Sequence, residues 1–275
     1  MSKVIDRPQN LELVSSEHPF KEYCREFIKI HFYQLSQREI ARNLKIGKTT
    51  VNRWAKFLGL VFKKHTVDED YFDHWSSKMA YILGYICADG NIAWDTQRGY
   101  QSLTITASMK DKAHLERIRK ILKSSKTLLY SPSTKSYRLI VNNRKICLRL
   151  MNLGIFPKKS LILKFPKVPK KYIKDFVRGY IDGDGSLKYF ARKRSPYFEI
   201  MICSGSKSFI MTLNDKIYQN LAIKSKIFQA GANCYILRYC CSRGRKLAEW
   251  MYNQSEIYLI RKFSQYEKAL CPRKE

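Results

Sequence analysis

Two short stretches of the chain end in an aspartate followed by a glycine. They read Ile82-Leu-Gly-Tyr-Ile-Cys-Ala-Asp-Gly90 and Val177-Arg-Gly-Tyr-Ile-Asp-Gly-Asp-Gly185, and their last aspartates, Asp89 and Asp184, lie 95 residues apart. The apolar spacing predicts two helices, and each final glycine suits a left-handed helix terminator. A carboxylate at a helix C-terminus meets the negative end of the helix dipole, which is unfavourable by about 0.3–1 kcal/mol. A chain that repeats this arrangement predicts a divalent cation between the two carboxylates.

Small residues recur four positions apart in both stretches. Gly84 with Ala88, and Gly179 with Gly183, each lie on one helix face, where a second backbone can approach closely. Packing of the two helices would bring the two aspartates together, and their like charges repel unless a cation lies between them.

The chain from Ser76 onward contains this unit twice. In the first copy, β-rich segments follow around 103–109 and 127–141, and in the second around 197–203 and 226–240. A basic connection with three prolines joins the copies. Each copy is too small to bury its core well alone, so we expect the copies to pair.

The segment Leu35–Trp54 is similar to a helix-turn-helix. Ser36 and Glu39 predict a capping box at the first helix, and Gly47 is placed to cap the second. The second helix leaves five residues facing outward whose types suit phosphates and base edges of a major groove. These five are Lys48, Thr49, Thr50, Asn52 and Arg53. An ordinary amphipathic helix pair is the alternative interpretation.

A locally acidic segment at 67–73 follows this region and is predicted to be a linker. The predicted organisation is a helix-turn-helix domain with its lead-in at 1–66, a first half at 67–170 and a second half at 171–275. With few contacts crossing the linker, we expect the two parts to fold separately.

The net charge of the chain indicates which class of molecule it binds. The chain of 275 residues has 52 Lys+Arg and 23 Asp+Glu, a formal charge of +29, which favours nucleic acid over a neutral metabolite. Hydrophobic residues make up 45% of it, which excludes wholesale disorder. The sequence has no apolar run of membrane-spanning length and no signal-peptide core at its start, so a cytoplasmic or organellar protein is expected. Its eight cysteines are expected to be reduced and mostly buried.

The paired motifs, from about Ser76 to Tyr266, resemble those of LAGLIDADG homing endonucleases in their single-chain, double-motif form. The resemblance implies an α+β fold of two pseudo-symmetric αββαββα halves. Their sheets form a DNA-binding saddle, here preceded by a small all-α helix-turn-helix domain. Cys87 departs from the family, where an acid is common, as do Tyr85 and Tyr180, where leucine or phenylalanine is usual.

The resemblance also implies an activity: hydrolysis of both strands of a long, asymmetric double-stranded DNA target, in a mobile element, by a monomer that uses Mg²⁺ or Mn²⁺. Asp89 and Asp184 would be metal ligands, assisted by the carbonyls of Ala88 and Gly183. A lysine in each half accompanies the aspartates in the family.

By position in the sequence, Lys159 and Lys262 are candidates for these catalytic lysines. Basic residues in or beside the β-rich segments are candidates for DNA contact. These are Arg98, Lys135, Arg138, Arg192, Lys193, Arg194 and Arg238.

Two other functions stay open at this point. A transcription regulator could use the same scaffold without cleavage, and loss of either motif aspartate would have favoured it. An RNA maturase that assists intron splicing is the other alternative, and a preference for structured RNA over duplex DNA would support it.

Overall fold

Residues 19–60, 65–95, 97, 99–191 and 196–270 are described in the computed structural model of the chain. Backbone contacts separate two units, and the division lies between residues 64 and 65. Within the described ranges, no helix combines the length and the apolar character needed to cross a membrane.

The described part of the smaller unit, residues 19–60, contains three helices: α1 (Pro19–His31), α2 (Gln37–Leu44) and α3 (Lys48–Phe57). The predicted capping box is present, since the Ser36 amide donates to Glu39 Oε2 at 2.8 Å and the Glu39 amide donates to Ser36 Oγ at 3.3 Å. Lys45 ends α2 in the left-handed region, at φ 51°. Apolar side chains from all three helices form the core of this unit: Cys24, Ile28, Ile40, Ala41, Leu44, Val51, Trp54 and Ala55.

The larger unit consists of two copies of one α+β arrangement, as predicted. The first copy contains α4 (Ser77–Asp89), β1 (Gly90–Asp95), β2 (Tyr100–Ser108), α5 (Lys112–Ile121), β3 (Leu129–Ser131), β4 (Ser136–Val141) and α6 (Arg144–Asn152). The second contains α7 (Ile173–Asp184), β5 (Gly185–Phe190), β6 (Tyr197–Ser204), α8 (Lys207–Leu221), β7 (Ile227–Gln229), β8 (Tyr235–Cys240), α9 (Cys241–Tyr252) and α10 (Ile260–Leu270).

Each copy has one four-stranded antiparallel sheet. The strand orders are β1-β2-β4-β3 and β5-β6-β8-β7, so the two sheets share one topology. Their registers also match, because Gly90 lies opposite Ile105 and Gly185 lies opposite Ile202. The residue pattern alone did not locate β1 and β5, which only the family resemblance implied, since neither hexapeptide has a strong strand pattern and both are held by pairing with the next strand.

The glycines after the motif aspartates do not terminate their helices in the left-handed region, so that prediction is wrong. Gly90 has φ −90° and ψ 150°, and Gly185 has φ −91° and ψ 167°, which is extended backbone that leads directly into a strand. Glycine is required at both positions because there is no room for a side chain. A Cβ at Gly90 would lie 2.6 Å from the carbonyl oxygen of Ile86, and one at Gly185 would lie 2.5 Å from that of Ile181.

The two motif helices pack against each other through their small residues, as predicted. A Cβ at Gly84 would lie 2.1 Å from the carbonyl oxygen of Phe176, and one at Gly179 would lie 2.0 Å from that of Tyr81. No side chain larger than a hydrogen fits at either position. The close approach therefore fixes how the two helices, and the residues at their ends, meet.

The acidic segment predicted as a linker is instead packed onto the first copy. The Asp68 amide donates to the Leu122 carbonyl at 2.9 Å, and the Phe72 side chain is fully buried. Arg149 lies 3.1 Å from Asp73 in a half-exposed ion pair. The acidic residues of this segment neutralise Lys123, just after α5, and two basic side chains of α6, which the local charge pattern alone did not reveal.

Candidate active site and nucleic-acid surface

The two motif aspartates lie side by side at the C-terminal ends of α4 and α7. Asp89 Oδ2 is 3.2 Å from the point where a Cβ of Gly183 would stand, so this carboxylate reaches the backbone of the other motif. Burial, followed by the charge of Asp184, raises the pKa of Asp89 to about 6. Partial burial of its carboxyl group also raises the pKa of Asp184, although solvent still reaches this residue. Two carboxylates that repel each other in this way favour a cation between them.

A buried tyrosine lies one turn before each aspartate. The Tyr85 hydroxyl hydrogen-bonds Asp89, which lowers the pKa of that carboxyl and partly offsets its burial. Tyr180 donates to the Cys203 carbonyl at 2.9 Å and has the same effect on the pKa of Asp184. The two tyrosines among the three departures from the family therefore contact the site itself.

Lys262, a residue of α10, packs against the C-terminal end of α7, and only 2% of its surface is exposed. Its ammonium group donates to four carbonyl oxygens of the motif: Ile181 at 2.8 Å, Asp182 at 2.6 Å, Gly183 at 3.1 Å and Gly185 at 2.6 Å. Burial lowers the pKa of Lys262 to about 8.

Lys159 has the corresponding position at the end of α4. Its ammonium group donates to the Gly90 carbonyl at 2.6 Å and reaches the Ala88 carbonyl at 3.5 Å. Both sequence-predicted lysines are thus brought to the site, where each faces the negative end of a helix dipole. These two lysines compensate part of the negative charge at the helix ends, which the sequence analysis had assigned to a cation.

The donor atoms at the site fit a hard divalent cation. Two carboxylates and the carbonyls of Ala88 and Gly183 are all oxygen donors, the type that Mg²⁺ and Mn²⁺ prefer. Among the described residues no group of three or more His, Cys, Asp or Glu side chains could hold a metal. Two carboxylates leave room for waters and phosphate oxygens in the coordination sphere, as is usual for Mg²⁺ at phosphoryl sites.

Comparison with known families gives a match to the second copy. Residues 171–249 match the family described as LAGLIDADG-like domain. The chain carries a LAGLIDADG-like domain.

A curated relative extends over more of the chain. An uncharacterized protein of Methanocaldococcus jannaschii is 28% identical over 190 residues, which is 66% of this chain and 64% of the relative. The match therefore spans just under two thirds of that protein's length.

The fold is shared with a solved structure, and a second one is similar in part. A double mutant of I-SmaMI matches with a TM-score of 0.51 and 12% identity over 72% of this chain and 90% of that one. The homing endonuclease I-WcaI bound to its DNA recognition sequence matches with a TM-score of 0.49 and 15% identity over 72% and 91%. We call residues 65–270 the two-copy core.

The two motifs of the two-copy core differ at the position two residues before the aspartate. Asp182 is fully buried, and its Oδ2 accepts from the Tyr81 hydroxyl at 2.7 Å and the Leu259 amide at 2.8 Å. Its pKa is raised to about 6 by burial. Cys87, the matching residue, is a buried thiol whose pKa burial raises to about 12. The first motif thus has a neutral group where the second has an acid.

The predicted DNA-contacting residues fall into three groups. Arg138 on β4 and Arg238 on β8 are exposed, and Lys135 lies in the turn before β4 with φ 46°. On α3, Thr50 is half-buried and the other four candidates are exposed. Arg98, Arg192, Lys193 and Arg194 lie outside the described residues.

Glu199 is a buried acid on β6 that sequence analysis missed. Its Oε2 accepts from the Tyr197 hydroxyl at 2.9 Å and lies 3.3 Å from Nε of Arg238. It is the one carboxylate among the described strand residues of the second sheet. An acid alone in a strand of a very basic chain is the signal that could have identified it.

Cysteine burial is only partly as expected. Cys24, Cys87 and Cys147 are buried and all seven described cysteines are free thiols, but Cys203 and Cys241 are exposed.

Proposed function

We propose that the protein is a site-specific endonuclease that hydrolyses both strands of duplex DNA with a divalent cation. One observation carries the proposal: two aspartates from different halves of one chain meet at the ends of two closely packed helices, each beside a buried lysine. The net charge of +29 and the LAGLIDADG fold support DNA as the partner.

In this proposal Asp89 and Asp184, with the carbonyls of Ala88 and Gly183, hold Mg²⁺ or Mn²⁺ at the scissile phosphates. The cation supplies Lewis-acid stabilisation of the phosphate and lowers the pKa of its bound water. Tyr85 and Tyr180 orient the carboxylates through the contacts described above. The glycine contacts keep the two helix ends at a fixed separation, so the chain positions both carboxylates before DNA binds.

The two sheets would bind the DNA on either side of this site. Because both halves belong to one chain, a monomer suffices. The sheets carry different side chains, so the target is expected to be asymmetric.

The test is to isolate cleaved duplexes from a randomised library with Mg²⁺ and then measure Asp89→Asn and Asp184→Asn on the selected site. Each variant should lose at least about 100-fold in double-strand cleavage, close to 3 kcal/mol, while duplex affinity is retained. Asp215→Asn, at an exposed ion pair on α8, is the matched control and should cleave normally. Full activity of either motif variant would overturn the metal-ligand assignment.

Two results would favour the other candidate functions. Binding of duplex DNA without cleavage by the wild type indicates a transcription regulator. Tighter binding of structured RNA than of duplex DNA indicates a maturase.

For the smaller unit, within the proposed domain at 1–66, we propose that α3 lies in a major groove beside one half-site. Asn52→Ala with Arg53→Ala should then relax base preference on one flank of the footprint, by about 1–3 kcal/mol per lost bidentate contact, and leave the cut position unchanged. Protection extending equally on both sides of the wild-type footprint would contradict this placement.

A further inference from the structure

We infer that the two halves of the proposed active site are not equivalent. Lys159 keeps N–H groups available for the phosphate, whereas Lys262 is a positioning residue that acts through the backbone of α7. The DNA strand whose scissile phosphate Lys159 contacts is therefore cut first. This inference rests on the proposed nuclease function.

The first argument is a count of donors and acceptors. A lysine ammonium group has three N–H donors. Four carbonyl oxygens lie 2.6–3.1 Å from Nζ of Lys262, so every donor is already engaged. In the described part of the chain, Nζ of Lys159 has one carbonyl at 2.6 Å and a second at 3.5 Å, beyond the usual hydrogen-bond distance. At least one N–H of Lys159 is available for a phosphate oxygen.

The charges around the two lysines point the same way. The carboxylate of Asp182 compensates Lys262 from within its own half. Beside Lys159 the matching residue is the neutral thiol of Cys87, and the attractive carboxylates are those of the motif aspartates, Asp184 before Asp89. The first compensating carboxylate of Lys262 is therefore Asp182, ahead of the motif aspartate Asp89, whereas the carboxylates that compensate Lys159 are the two motif aspartates.

The chain around Lys262 is also held more firmly. The neighbouring Arg261 makes a bidentate ion pair with Asp111 of the first half, at 2.8–3.0 Å. Lys159 instead lies in a short turn between α6 and α7, directly after Lys158 with φ 55°. A small shift of that turn can bring Lys159 to the substrate, whereas movement of Lys262 would break the clamp that Arg261 forms.

At each strand the overall step is hydrolysis. A water oxygen bonds to phosphorus, the bond from phosphorus to the leaving sugar oxygen breaks, and one water proton ends on that leaving oxygen. An N–H of Lys159 would stabilise the charge that builds on the phosphate oxygens during the step. At the other strand this stabilisation comes without a direct lysine contact.

The test follows both strands of the selected duplex with separate end labels. The wild type should accumulate a nick in one strand, with rates that differ by about 10-fold or more. Lys159→Met should slow the faster strand by the same factor of about 10 and so abolish the difference, and Lys159→Arg should restore part of it. Lys164→Met, an exposed lysine in the same connection, is the control and should keep the wild-type ratio.

Lys262→Met should lower the melting temperature and change both strand rates by one common factor. Three results would each overturn the inference. The wild type could cut both strands at equal rates, or Lys159→Met could lose cleavage of the slower strand only. Lys262→Met could also lose cleavage of one strand at an unchanged melting temperature. If Lys262→Met does not fold, the wild-type and Lys159 variants decide the matter. Cleavage at equal rates leaves the proposed function intact, whereas binding without any cleavage overturns both.

Discussion

The ends of α4 and α7 share one backbone geometry and carry different chemistry. Both helices pass through an aspartate into an extended glycine and a strand, and both are capped by a buried lysine. The lysine at α7 is fully engaged and lies beside an acid, whereas the lysine at α4 has spare donors and lies beside a thiol. Close helix packing constrains the backbone equally on both sides, but the side chains around it are free to differ.

A second difference between the two halves lies in the side chains that pack near the motif helices. The Tyr81 hydroxyl, in the first half, bonds Asp182 and lies 3.0 Å from Nε2 of the buried His114. At the matching places the second half has Phe176 and Phe209, which pack as apolar rings. The polar network of the second motif therefore extends into the first half, and the two halves depend on each other for more than shape.

The largest effect on stability is expected from substitution of Asp182, the acid that has no counterpart in the first motif. Asp182→Asn should lower the free energy of unfolding by about 3 kcal/mol, because the buried charge of Lys262 loses its compensating carboxylate. Cys87→Ala, at the matching position, should cost about 1 kcal/mol, since it removes one buried sulfur. Urea denaturation of both variants measures the difference. Equal losses would mean that the motifs are energetically equivalent.

An effect of similar size at most, which develops only as the pH falls, concerns the buried histidine of the first half. Burial lowers the pKa of His114 from 6.5 to about 4, with opposing influences from Asp111 and from Arg117 and Lys262. The unfolded chain takes up this proton near pH 6.5 and the folded chain only near pH 4. Its contribution to stability is therefore present above pH 6.5 and is lost, by up to about 3 kcal/mol, as the pH falls toward 4.

His114→Phe copies the second half and should remove that part of the pH dependence. Denaturation of wild type and variant at pH 7 and pH 4.5 gives the comparison. Parallel pH profiles would show that His114 already titrates normally in the folded protein.

The smallest expected effect sharpens the comparison between the sheets. On the second sheet Glu199 holds Arg238 through Nε, and Nη2 of the exposed guanidinium makes only a 3.6 Å contact with Met201 Sδ, which a base edge could replace. Arg238→Ala should lose about 1–2 kcal/mol of preference for guanine at one target position, and Glu199→Gln a part of that. Arg138→Ala on the first sheet should affect the other half-site only. Selection from a randomised duplex library measures both, and an unchanged base preference in Arg238→Ala would remove Arg238 from sequence readout.

Local patterns in the sequence predicted much of this protein. Small residues four apart define one helix face, so Gly84 and Gly179 were enough to predict the close pairing of the motif helices. The capping box of Ser36 and Glu39 is similarly contained within a few residues. By pairing the helices, the small-residue spacing also placed Asp89 beside Asp184.

Tertiary structure decided what depends on residues far apart in the chain. The sequence nominated Lys159 and Lys262, but only the fold shows that one is saturated by carbonyl oxygens and the other is not. The extended conformation at Gly90 depends on strand pairing across the sheet, and the packing of the acidic segment depends on helices that follow it by some 50–75 residues. Periodicity and capping report contacts within a few residues, whereas burial, donor saturation and ion pairing depend on the complete three-dimensional arrangement.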